Sequence, residues 1–81
     1  MSDAPAHIAS VIVRTRVEIA PVFAQKIAAM PDTEVHAVQD GKIIAVLEAE
    51  SERELADRID EIKQDPWVLG VNLVFHQMDV T

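Results

Sequence analysis

Cysteine is absent from this sequence of 81 residues, which removes disulfide frameworks, thiolate zinc sites, iron–sulfur ligation and thiol catalysis in one step. Glycine is nearly as scarce. Gly41 and Gly70 are the two present, and they leave no glycine-rich cradle for a phosphate and no nucleophile turn. Tyrosine is missing, with one Trp and two Phe as the whole aromatic content, so a core must be assembled from Val, Ile, Leu and Ala. No apolar run approaches the roughly 20 residues that span a bilayer. The opening Met1-Ser2-Asp3-Ala4-Pro5-Ala6 has no basic residues leading into an apolar run, so it does not read as a secretory signal and a cytoplasmic location is expected.

Basic residues are also few. Seven Lys and Arg stand against 14 Asp and Glu, for a net charge of −7. That balance disfavours surfaces that must neutralise phosphates or anionic lipids, so neither nucleic-acid binding nor membrane insertion is expected. The acidity is concentrated in Glu48, Glu50, Glu52, Glu54, Asp57, Asp60, Glu61 and Asp65, against Arg53, Arg58 and Lys63 in the same stretch. A basic or apolar partner fits such a chain better than an anionic one.

What is present reads as a single small domain, with residues 1–6 as a flexible N-terminus, 7–78 as the domain and 79–81 as a tail. His7 to Val13 is a β-branched run expected to form a first strand. From Glu18 to about Met30 the apolar Ile19, Val22, Phe23, Ile27 and Met30 recur at helical spacing, with Pro21 tolerable in the first turn and Pro31 as the stop. Glu34 to Ala37 alternates polar with apolar before Asp40-Gly41, and Lys42 to Ala49 follows, which predicts a hairpin. Ser51-Glu52-Arg53-Glu54 has the form of a capping box, so a second helix begins there. Leu55, Ala56, Ile59 and Ile62 form its apolar stripe, Asp65-Pro66 ends it, and Val68 to His76 is a fourth strand.

The order β-α-β-β-α-β with one hairpin is the split β-α-β pattern of ferredoxin-like α+β sandwiches. It predicts a four-stranded antiparallel sheet of order 4-1-3-2 with both helices on one face. Strand parity then assigns Ala9, Val11, Val13, Val35, Ala37, Ala45, Leu47, Ala49, Val71, Leu73 and Phe75 to the helix side. The opposite, open face receives Ser10, Ile12, His36, Val38, Ile44, Val46, Glu48, Asn72, Val74 and His76. An apolar centre of Ile12, Ile44, Val46 and Val74 on an uncovered face is the mark of a contact surface.

Other chemistries find little support. His7, His36 and His76 lie on different strands with no recurrent ligand spacing, so neither a metal nor any other cofactor is expected. No serine, histidine and carboxylate follow a triad order, and pairs such as Asp57 with Glu61 read as a solvated helix face. The central sheet positions where RNA-recognition modules carry aromatics are aliphatic here. Heavy-metal domains of this topology need Cys-x-x-Cys. An acylphosphatase reading could use Arg14 or Arg16, but Asn72 falls on the fourth strand rather than in the hairpin. The chain is expected to bind rather than to catalyse.

Three segments carry a family resemblance: Ile8-Ala9-Ser10-Val11-Ile12-Val13, Gly41 through Ser51, and the ending Val68-Leu69-Gly70-Val71-Asn72-Leu73-Val74-Phe75-His76-Gln77. With them the chain resembles the NapD family, small maturation chaperones of the periplasmic nitrate reductase, and the resemblance covers nearly the whole chain, roughly residues 7 to 78. The resemblance implies a ferredoxin-like fold and a cytoplasmic chaperone that binds the twin-arginine (Tat) signal peptide of the catalytic subunit NapA. It further implies that export is held back until the molybdenum cofactor is inserted, without the chaperone binding that cofactor itself. Such a signal joins a basic segment to an apolar helix, which matches an apolar face with negative charge beside it. The expected signal-peptide site is therefore Ser10, Ile12, Ile44, Val46, Glu48, Asn72, Val74 and His76. A monomer or weak dimer is expected, and the competing reading is a homodimeric regulatory or ligand-binding domain that uses the same face for self-association.

Overall fold

The computed structural model describes residues 6–79, and for Ala6 and residues 75–79 the backbone alone. The chain runs β1 (Ala6–Arg14), α1 (Ala20–Ala28), β2 (Thr33–Gln39), β3 (Lys42–Ala49), α2 (Glu52–Lys63) and β4 (Gly70–Asp79). All three pairings in the sheet are antiparallel, in the order β2-β3-β1-β4. This is the expected order read from the other edge. The N-terminal segment expected to be flexible and the tail lie outside the described residues, except that β1 begins at Ala6 and β4 runs on to Asp79.

The core follows from period-two alternation in the two central strands. Ala9, Val11 and Val13 of β1 and Ile43, Ala45 and Leu47 of β3 are fully buried, and they meet Phe23 and Ile27 of α1 and Leu55 and Ile62 of α2 in one cluster. On α1 the buried face is Ala20, Phe23, Ala24 and Ile27. Two alanines four residues apart let the helix approach the sheet closely. Val22, expected on that face, is exposed, because it falls one position off the buried stripe. The helix is also shorter than its apolar spacing suggested. The N–H groups of Ile19 and Ala20 both donate to the Arg16 carbonyl, so a turn occupies the segment from Arg16 before α1 begins.

The local signals at α2 and at the hairpin act as their residue types dictate. The Glu54 N–H donates to Ser51 Oγ at 3.1 Å, while the Glu54 carboxylate accepts from the Glu50 N–H at 3.2 Å. The reciprocal bond thus goes one residue further back than a simple capping box requires. Asp40 and Gly41 have φ of 51° and 76°, two consecutive left-handed residues that suit a tight hairpin between twisted strands. Past α2, Asp65 accepts from the Trp67 N–H and from Lys26. This ties the end of α2 to α1 and sets Trp67 edge-on to Phe23, with ring centroids 6.1 Å apart. The Leu69 N–H donates to the Arg14 carbonyl at 2.7 Å, and β4 starts at Gly70 rather than at Val68.

Two bulges alter the simple parity. In β2 the register passes from Val35 opposite Ala45 to Ala37 opposite Ile44, which leaves His36 unpaired in the ladder. Ala37 therefore shares the open side with Ile44, and Val38 stands opposite buried Ile43. The assignment from parity alone has these two residues on the wrong sides. In β4 the register passes from Leu73 opposite Val11 to Phe75 opposite Ser10, with Val74 as the extra residue. Beyond it His76 lies opposite Ala9, so the backbone phase there is the reverse of the expected one. A bulge adds one residue to one strand and shifts every later position by one.

Candidate functional site

Both helices lie against one side of the sheet, and the even-numbered residues of β1 and β3 line the other. Their registers arrange that open side in rows. At one end Arg14 of β1 stands between Lys42 of β3 and Gly70 of β4; next, Ile12 stands between Ile44 and Asn72; then Ser10 lies opposite Val46, and Ile8 opposite Glu48. On the β2 side, Gln39, Ala37 and Glu34 extend the rows of Lys42, Ile44 and Val46.

Ser10, Ile12, Ile44, Val46, Glu48 and Asn72 come together on this surface, whereas Val74 is displaced by the bulge and His76 follows it in the reversed backbone phase. Ile12, Ser10 and Val46 are half-buried, Ile44 is 40% exposed, and Glu48 and Asn72 are exposed. Val74 is 61% exposed, but it sits on the bulge and has no direct partner in β1. The side chain of His76 lies outside the described residues. Sequence reasoning omitted Ile8, Arg14 and Lys42, which the same parity would have supplied. It also omitted Glu34 and Ala37, which only the register of β2 could reveal.

Charge on this face is divided end from end. Asp32, Thr33, Glu34, Val46 and Glu48 enclose a shallow hollow of about 300 Å³. Arg58 Nη2 is 3.7 Å from Asp32 Oδ2, and the same guanidinium donates through Nη1 to the Glu48 carbonyl. His36 Nε2 is 3.8 Å from Glu34 Oε2. Among the described residues the Glu48 carboxylate makes no ion pair, although it borders an apolar surface. At the other end Ile12, Gln39, Asp40, Lys42 and Ile44 line a second hollow, of about 270 Å³. Arg14 lies across Gly70, where a Cβ would stand 2.7 Å from its Nη2. Neither Arg14 nor Lys42 makes an ion pair among the described residues.

The remaining surface offers less. A small groove between the helices is lined by Phe23, Lys26, Ile27, Met30, Glu61, Ile62 and Asp65. The Asp65 carboxyl is held below its ordinary value by the hydrogen bond from Lys26 and then by that from the Trp67 N–H, an arrangement that joins two helices. Among the described residues no cluster of His, Asp and Glu is placed to hold a metal ion, and no helix is long and apolar enough to cross a membrane.

Comparison with known proteins gives a consistent result. A family model described as NapD protein matches residues 6–80. The chaperone NapD of Paracoccus pantotrophus is 43% identical over 72 residues, which cover 89% of this chain and 64% of that one. The match therefore spans just under two thirds of that relative's length. The chaperone NapD of Escherichia coli K12 is 33% identical over 76 residues, 90% of this chain and 86% of its own. The solution structure of the E. coli Tat proofreading chaperone protein NapD superposes with a TM-score of 0.85 at 28% identity, covering 94% of this chain and 82% of that one.

Proposed function

The chain belongs to the NapD family, a family of chaperones and not of enzymes, and on that premise we propose that it captures the twin-arginine signal peptide of the nitrate reductase catalytic subunit NapA in the cytoplasm. Holding the signal keeps the precursor from export until its molybdenum cofactor is in place and it has folded. The observation that carries this reading is the uncovered stripe of Ile12, Ile44 and Val46, with exposed Val74 beside it and Glu48 at its end. A twin-arginine signal presents an apolar helix preceded by two cations, and a helix laid on an apolar surface is an established mode of peptide recognition. The description of the E. coli relative as a Tat proofreading chaperone supports the same partner class.

Titrating isotope-labelled protein with a synthetic NapA-type signal peptide tests the placement. The largest amide shifts are expected from Ile8 to Arg14 and from Lys42 to Glu48. Shifts confined to α1 and α2 would move the site to the other side of the sheet. Light scattering on the free protein separates peptide capture from self-association. A monomer leaves the face available, whereas a tight dimer through the sheet would count against the proposal.

A further inference from the structure

The open face has a direction, and on the reading that it holds a signal peptide, we infer that the peptide lies along β1 and β3 with its arginine pair at the Glu48 and Glu34 end and its apolar helix running toward Arg14 and Lys42. Charge is arranged unequally about the two ends of the apolar stripe. Ile8, Ile12, Ile44 and Val46 lie along the two central strands; Arg14 opposite Lys42 closes one end, and Ile8 opposite Glu48 closes the other, beside Glu34 on β2. Asp32 lies 3.7 Å from the Arg58 guanidinium and Glu34 lies 3.8 Å from the His36 imidazole, whereas the Glu48 carboxylate makes no ion pair among the described residues, Arg58 reaching only its backbone carbonyl. It is the carboxylate best placed to meet an incoming guanidinium.

Dimensions fit the same occupant. Six residue steps separate Lys42 from Glu48, about 20 Å at roughly 3.3 Å per strand residue. A helix covers that length in about 13 residues at ~1.5 Å each. That falls within the roughly 7–15 residues of a signal peptide's apolar region. The far end of such a helix carries the negative pole of its dipole, which Arg14 and Lys42 stabilise. The reverse placement would bring two arginines to Arg14 and Lys42, where Asp40 is the one carboxylate among the described residues lining the hollow, and leave Glu48 facing apolar chain, so the balance of charge favours the first polarity.

Two nitroxide-labelled peptides decide the polarity on the intact chain. A label just ahead of the arginine pair should broaden the amides of Glu34 and of Val46 to Glu48 and spare those of Arg14 and Lys42. A label at the end of the apolar helix should give the mirror pattern. Broadening of Arg14 and Lys42 by the first label would overturn the polarity while leaving sheet-face capture intact. If neither label broadens the sheet face, both the polarity and the site fall. As a second arm, Glu48→Gln should weaken the intact peptide about three- to tenfold. A peptide with both arginines replaced by Gln should be affected less than about twofold, and equal weakening of the two peptides would contradict the pairing.

Discussion

Val46 and Glu48 are separated by one residue on β3 and project from the same side of the sheet, one half-buried in the apolar stripe and the other exposed at its end. This pair, with Ile12 and Ile44, was legible in the sequence because strict alternation in a central strand leaves one choice of phase. Val74, Val38 and Ala37 were not, since a bulge is a backbone decision that no single side chain announces. Val46→Asp places a charge in the stripe without touching the buried side. We expect peptide affinity to fall by at least about tenfold with the far-ultraviolet circular dichroism unchanged, and unaltered affinity would move the site elsewhere. Asp65 supplies a stability prediction. Its carboxyl is lowered from 3.8 by Lys26 and the Trp67 N–H, so the unfolded chain binds the proton more readily. The stabilisation is therefore present above 3.8 and lost as pH falls through the lower folded value. Asp65→Asn should reduce the urea midpoint at about pH 7, and its difference from the parent should narrow in acid.

The elements show which kinds of signal carry a fold. The hairpin and α2 were legible from local chemistry alone. Asp40-Gly41 takes up left-handed backbone, and Ser51 and Glu54 make the capping bonds their types allow. The start of α1 was not, because Arg16 to Ile19 closes a turn whose apolar residues continue the helical spacing. Gly41→Ala tests the hairpin. A Cβ at this φ of 76° would lie 2.6 Å from the Thr15 carbonyl oxygen, part of the backbone and unable to swing aside. A loss of about 2 kcal/mol is expected, a Tm lower by roughly 10 °C for a domain of this size. Ser51→Ala should cost about 1 kcal/mol by removing the α2 cap, and a denaturation midpoint shifted with unchanged slope would confirm that stability alone has changed.

At the scale of the whole molecule, the fold and the choice of binding over catalysis could be read from element order and missing residue types. The end-to-end charge division of the open face required the sheet registers. With a net charge of −7, the protein should accelerate its encounter with a cationic peptide. The association rate is expected to fall as salt rises from about 0.05 to 0.5 M, with a smaller change in dissociation. Calorimetry of the purified protein with a NapA-type signal peptide, and with the same peptide after both arginines are replaced by Gln, tests signal capture most directly. The intact peptide should bind with a negative heat-capacity change from apolar burial, and the replaced peptide at least about tenfold more weakly. Absence of binding to the intact peptide would contradict the account.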